Sequence, residues 1–328
     1  MKEQMNVGIS TNQNYYRYAY VMLTSLLENN QDMAVTVYVL HSELTEEQIG
    51  GYRKLAKQYG GNAVSVEIDK TRLAGQLPTT AAWTIEMYYR LMMPDILPED
   101  VDRLLYLDVD MIVNASLKEL YETDFEGKLF VACAEGEERH EERDPETCRR
   151  LFSELYEKGF EYFNSGMMLW HISEIRKKYT FADYMKAAEL FEYTFAAPDQ
   201  DLLNYCHWQE VKYVDMAVYN RFARSAHQAG KTYEDIKKEA RIVHFAGAKP
   251  WNGRSIHMDI EQLWWDYAKK TPFFGELCEE MVYQTLHDPF VENYAKELID
   301  NVTVLQKNLN ESLQLNQQLL AMLSQPGN

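Results

Sequence analysis

Two aspartates one residue apart, Asp108 and Asp110, lie inside LLYLDVDMIV (104–113), an otherwise apolar run. An ionised carboxylate buried without a partner is strongly destabilising, so the pair belongs at a strand's exit or against a cation. On extended chain, side chains two residues apart point to the same side, and an Asp-x-Asp pair can hold one divalent ion directly or through water. Hard cations with open positions meet phosphate oxygens, which makes a nucleotide diphosphate the natural ligand class. In an acidic chain such a triplet can equally be an exposed charge pair; the apolar strand in front of it favours the metal. Three further residues have chemistry but weak local context. Read singly, His244 in IVHFAGAKPW (242–251) is a core histidine, Arg90 in TIEMYYRLMMPDIL (84–97) a surface helix charge, and Asp199 in PDQDLLN (198–204) a helix cap.

The surrounding periodicities say what positions these residues. Residues 7–10 read as a short buried strand, followed by a helix through YAYVMLTSLLENN with Tyr20, Leu23, Leu26 and Leu27 on one face. AVTVYVL (34–40) is a β-rich apolar run. Thr45 is placed to cap a helix running to Tyr59, which Gly60-Gly61 ends, and AVSVEI (63–68) alternates as a strand. Strand, helix, strand, helix, strand predicts a parallel sheet wrapped by crossover helices, with ligands beyond the strands' carboxyl ends. That puts the tail of strand 104–108 at the functional edge. Farther on, GMMLW (166–170) predicts a strand, and helices are expected over about 180–193 and after Asp199-Gln200-Asp201. The charge-dense EGEERHEERDPETCRR (135–150) reads as a solvated loop entering a helix, or as a lid. Beyond Trp251 helix is expected to the end, with Leu298, Val302, Leu305, Leu309, Leu319 and Leu323 on one stripe that Ser312 and Asn316 share.

Composition bounds the rest. At 328 residues and 46% hydrophobic content the chain can bury a substantial core, as one large domain with an elaboration or as two modest ones. With 51 acidic against 33 basic residues and a formal charge of -18, nucleic acid is excluded as a partner. Cys133, Cys148, Cys206 and Cys278 show no C-x-x-C spacing, which suits thiols in a reducing compartment. MKEQMNVGIS lacks the apolar core of a signal peptide, so the expected location is the cytoplasm, or peripherally the inner membrane face.

LLYLDVDMIV, YFNSGMMLW (162–170), PDQDLLN and IVHFAGAKPW, with the opening STNQNYYRYAYVMLTSLLEN (10–29), occur in an order that resembles the retaining glycosyltransferases of family 8, which include bacterial lipooligosaccharide galactosyltransferases and glycogenin. The resemblance implies an α/β GT-A fold: a Rossmann-like mixed sheet flanked by helices, with a catalytic domain over 1–265; the helical pattern beyond it reads as a C-terminal extension over 266–328, expected to serve oligomerisation or acceptor or partner docking. It implies that Asp108, Asp110 and His244 bind manganese, with magnesium as the alternative. Gly247 would let backbone approach the diphosphate and Lys249 would lend it a charge. Ser10, Thr11, Asn12, Asn14 and Tyr15, with Val109, would face the nucleotide; Asn12 stands where several relatives have an aspartate. Arg90, Asn164, Ser165, Asp199 and Gln200 would read sugar hydroxyls, and Glu135 stands where relatives can carry an aspartate near acceptor and sugar.

The implied reaction is hexose transfer, of glucose or galactose, from a UDP-sugar to a glycan, lipid-linked or protein hydroxyl, with anomeric retention. Double displacement would need a carboxylate at the anomeric carbon. The residue that the resemblance places there is Gln200, a poor nucleophile, so a same-face route is expected, with Gln200 and Asp199 orienting the sugar. The alternatives are self-glucosylation, as in glycogenin, and a non-catalytic UDP-sugar-binding scaffold. A nucleotidyltransferase would want a glycine-rich phosphate loop, and STNQNYYRY has no glycine.

Overall fold

The computed structural model describes residues 2–72, 78, 84–135, 144–254, 257–287 and 290–323. Ten strands form among them: β1 (Gln4–Ser10), β2 (Ala34–His41), β3 (Asn62–Glu67), β4 (Leu104–Leu107), β5 (Met111–Val113), β6 (Phe130–Ala134), β7 (Phe163–Trp170), β8 (Val211–Tyr213), β9 (Arg221–Phe222) and β10 (Ile242–His244). Seven of them build one sheet in the order β3-β2-β1-β4-β7-β6-β8, in which only β7 runs against the rest. The other three form a small sheet, β5-β10-β9. The expected βαβαβ opening is present, and the whole is the mixed α/β sheet of a GT-A fold.

Sheet residues alternate between two cores, as period-2 geometry requires. Val7, Val37, Val39, Leu105 and Leu107 face the helices Tyr16–Asn29 and Glu46–Gln58, while Tyr38, Leu40, Leu104 and Tyr106 face the other side. The second helix starts where the sequence indicated, on a Thr45–Gln48 capping box. The first is buried more fully than a one-faced stripe predicts: Tyr18 through Leu27 are all buried, because Trp264 also packs on Tyr18. Its polar residues hold the small sheet. Ser25 Oγ accepts from Val113 N–H at 3.0 Å, and Asn29 Nδ2 donates to Val113 O at 3.0 Å, so both backbone groups at the end of β5 are satisfied.

Strand order reverses between β1 and β4, and at such a switch point ligands bind beyond the carboxyl ends. Gly8 pairs with Tyr106, and two residues farther along their strands come Ser10 and Asp108.

The chain divides into two compact units. One comprises Met1–Gly247 with Met258–Phe274, the other Ala248–His257 with Gly275–Asn328. In the second, Gln284 of the helix Phe274–His287 accepts from Gly253 N–H at 2.9 Å, and the helix Phe290–Leu323 carries a run of exposed apolar residues. No helix among the described residues is long and apolar enough to cross a membrane. Within the charge-dense segment, 136–143 lie outside the described residues, and Glu146–Tyr156 is the helix that follows.

Candidate active site

The large sheet hands its chain to the small one at the Asp-x-Asp pair. β4 stops at Leu107, and Asp108 N–H donates to Gly166 O on β7 at 2.8 Å. The backbone then turns at Val109 and Asp110 before β5, so the pair is not on extended chain as its sequence suggests. Val109 points into the core beside the two carboxylates. Convergence with His244 comes from β10: it pairs antiparallel to β5 with Met111 opposite His244, and Phe245 N–H donates to Asp110 O at 2.9 Å. One ligand atom from each of Asp108, Asp110 and His244 lies within 4.8 Å of the other two. His244 Nε2 is 3.3 Å from Asp110 Oδ1. The floor of this cradle is Gly166, where a Cβ would sit 2.7 Å from Asp108 Oδ2 and 2.8 Å from His244 Cε1. Glycine there leaves room for an ion. Two carboxylates and an imidazole are a donor set for a divalent cation that keeps further positions for oxygen ligands.

Beside the cradle lies a buried polar layer. Arg90, in the 3₁₀ helix Ile85–Met92, is 5% exposed and not a surface charge. Its Nη2 donates to Asp108 Oδ1 at 2.7 Å, its Nη1 to Ser165 O at 2.7 Å, and its Nε lies 3.0 Å from Asp199 Oδ2. The guanidinium stacks 4.2 Å from the Tyr106 ring centroid. Burial works against charge on Arg90, but Asp108 and Asp199 more than offset it, and its pKa rises. Burial also dominates at Asp199, pushing it up to about 6 despite Arg90.

Asp201, not Asp199, binds the backbone that enters the helix Pro198–His207. Its carboxylate accepts from Ala196 and Ala197 N–H, each at 2.9 Å, and from the Tyr162 hydroxyl at 2.6 Å. Asp199 is thereby left for Arg90 and the Ser165 hydroxyl. Gln200 Oε1 accepts from Asn164 Nδ2 at 3.0 Å and Ser165 N–H at 2.9 Å, and Gln200 Nε2 donates to Glu135 at 3.2 Å. Asn164 Nδ2 also reaches Glu135, at 3.1 Å. The structure thus brings Arg90, Glu135, Asn164, Ser165, Asp199 and Gln200 into one hydrogen-bonded group next to Asp108.

The candidate nucleotide residues lie at the end of β1. Thr11 and Asn12 are buried, Ser10 and Tyr15 half-buried, and Asn14 is exposed. Asn12 Oδ1 accepts from Tyr15 N–H at 3.1 Å, which occupies its acceptor and leaves its NH₂ for a ligand. Tyr15 meets Tyr18 edge-on at 5.6 Å. Gly247 has φ +81°, a conformation that favours glycine, and Lys249 belongs to the second compact unit.

Two residues of the site were not singled out in the sequence. Gly166 stands within the quoted FNSG but had no role beyond its strand. Asn220 lies in VYNRF, where nothing local distinguishes it, yet it is fully buried and hydrogen-bonded to both His244 and Asn164.

Fold and site together define an α/β transferase of the GT-A type. The glycosyl transferase family 8 model matches residues 6–255, and the chain belongs to that family. It is similar to the lipopolysaccharide 1,3-galactosyltransferase of Salmonella typhimurium, 28% identical over 76% of this chain and 74% of that one. A lipopolysaccharide 1,2-glucosyltransferase of Escherichia coli is 26% identical with the same coverage. Among solved structures, the galactosyltransferase LgtC, in complex with donor and acceptor sugar analogues, superposes with a TM-score of 0.69 at 23% identity, covering 82% of this chain and 96% of that chain.

Proposed function

We propose that this glycosyltransferase moves a hexose, glucose or galactose, from a UDP-sugar to an acceptor hydroxyl with retained anomeric configuration, using manganese or, in its place, magnesium. The observation that carries this reading is the meeting of Asp108, Asp110 and His244 within 4.8 Å at the switch point. The relatives' names support galactose or glucose as the sugar and a lipid-linked glycan as the acceptor, with other glycans or proteins as alternatives. A bound divalent ion supplies positive charge to the departing diphosphate. Lys249 adds a second charge there, Gly247 gives the phosphates room, and Ser10, Thr11, Asn12, Asn14 and Tyr15, with the backbone of Val109, whose side chain is in the core, form the nucleotide side.

Arg90, Asn164, Ser165, Asp199 and Gln200 orient the hexose, with Glu135 toward the acceptor. The bond from the anomeric carbon to the diphosphate oxygen breaks through an oxocarbenium-like state. The acceptor oxygen bonds on the same face, and its proton passes to the departing phosphate. Two facts support this over double displacement: Gln200 is an amide, and the Asp199 carboxylate is tied to Arg90 and Ser165. A trapped covalent sugar on Asp199 or Glu135 would overturn the same-face route. We further propose that the helix Phe290–Leu323 pairs with a second copy.

Ion-dependent UDP release from UDP-glucose and UDP-galactose, with and without glycan acceptors, tests the reading. Asp110→Asn is expected to lower turnover roughly 10²- to 10³-fold, the scale of losing an electrostatic stabiliser. Tight UDP binding without turnover would favour the scaffold, and hexose-sized steps in whole-protein mass would favour self-glucosylation.

A further inference from the structure

Asn220 sits between the helix Met216–Tyr219 and β9 with no exposed surface. One end of its amide lies 3.0 Å from His244 Nδ1 and the other 2.8 Å from the Asn164 side-chain oxygen. Which end is which follows from a single backbone group. Gly166 N–H can only donate, and it meets the Asn164 amide at 3.0 Å, so the atom it meets is Oδ1. The Asn220 atom facing that oxygen is therefore its nitrogen, and the atom facing His244 is its oxygen. An amide oxygen accepts, so Nδ1 of His244 carries a proton. In the neutral ring Nε2 then presents a bare lone pair, 3.3 Å from Asp110 Oδ1. Two acceptors at that distance want a cation between them.

We propose that Asn220 is a positioning residue with two roles: it fixes His244 in the tautomer that ligates a divalent ion, and it locks the Asn164 amide that orders Gln200 and Glu135. The inference rests on the metal-dependent transfer proposed above and adds a physical link between its two halves. Hydrogen bonds run without a break from His244 through Asn220 to Asn164, and from Asn164 to Gln200 and Glu135. Asn164 cannot turn its amide over without setting its NH₂ against Gly166 N–H. Ion binding and hexose recognition therefore share one rigid relay.

Substitution separates the roles. Asn220→Asp keeps an acceptor for Nδ1–H but sets a second oxygen against Asn164 Oδ1. Asn220→Leu removes both interactions at similar size. Manganese affinity of the full chain is measured without nucleotide, by titration followed by electron paramagnetic resonance. Dissociation constants for UDP, UDP-glucose and UDP-galactose are then compared at saturating manganese.

Asn220→Leu is expected to bind manganese roughly 10- to 100-fold more weakly. Asn220→Asp should bind it at least as tightly as the natural chain, because a carboxylate behind a ligating imidazole raises its basicity. The same variant should lose preference for UDP-sugar relative to UDP. A merely structural role would weaken the ion equally in both variants and would overturn the first assignment. An unchanged UDP-sugar to UDP ratio in Asn220→Asp would overturn the second. If Asn220→Leu does not fold, as judged by its melting curve, Asn220→Ala takes its place in the same comparison. Failure of the natural chain to bind manganese would sink the metal reading itself, whereas equal affinity in all variants sinks this inference alone.

Discussion

Arg90 and Asp199 form an ion pair almost wholly removed from water, and the two partners respond to burial differently. Arg90 keeps its charge because two carboxylates face it; Asp199 has one guanidinium and the repulsion of Asp108, and its pKa rises to about 6. An unfolded aspartate titrates near about 4. Between these values the folded chain binds more protons than the unfolded one, so this group's stabilising contribution is complete below about 4 and is lost as pH rises toward 6. Asp199→Asn imitates the protonated form. Its melting temperature should match that of the natural chain near pH 4, exceed it increasingly up to about pH 6, and then keep a constant lead. A constant difference across that range would show that Asp199 does not titrate there. The cluster of Asp108, Asp110 and His244 was legible because the resemblance marks each member. Arg90's burial was not legible from local pattern: its helix is a short 3₁₀ segment, and its partners come from 108, 165 and 199. Asn220 was invisible for a similar reason, since its partners stand 24 and 56 positions away.

Helix ends decide which carboxylate of Asp199-Gln200-Asp201 serves structure and which faces the site. Asp201 has no exposed surface and satisfies two backbone N–H groups and the Tyr162 hydroxyl, fixing where the helix Pro198–His207 begins and hence where Asp199 and Gln200 point. Asp201→Ala leaves two backbone N–H groups and a buried hydroxyl without their acceptor, and should destabilise the fold by about 2–4 kcal/mol. Urea unfolding measures this, and an effect under about 1 kcal/mol, the least expected for a single buried polar group left unsatisfied, would contradict the assignment. Elements with enough residues to show a period were readable: β1, β2, β3, their two helices, the Thr45 cap and the strand through 166–170 all stand near the expected positions. The small sheet was not. Its strands have two or three residues, too short to display alternation, and the run 104–113 conceals a turn that moves the chain from one sheet to another. Yet that turn and the pairing of β5 with β10 are what gather Asp108, Asp110 and His244.

Across the whole chain, a formal charge of -18 opposes association between copies, while the helix Phe290–Leu323 favours it. Leu298, Val302, Leu305 and Leu309, spaced by 4, 3 and 4, are each about half exposed or more; Val302 is 51% and Leu305 66% exposed. Asn316 continues the stripe, and an asparagine at such a seam position pairs best with itself, which suits a second copy in parallel register. The net charge makes the same pairing salt-dependent, because the Debye length falls from about 10 Å at 0.1 M to about 3 Å at 1 M. Salt should therefore tighten self-association, the reverse of binding driven by opposite charges. Sedimentation velocity of the full chain should show a dimer whose population grows between roughly 0.05 and 1 M sodium chloride, the range over which screening changes most. Leu305→Asp with Leu309→Asp should give a monomer at every salt concentration with ion-dependent UDP release unchanged. Vesicles of anionic lipid should not retain the chain, since both surfaces are negative. A monomer in the natural chain throughout the salt series would overturn the pairing and leave the transferase reading of Asp108, Asp110 and His244 untouched.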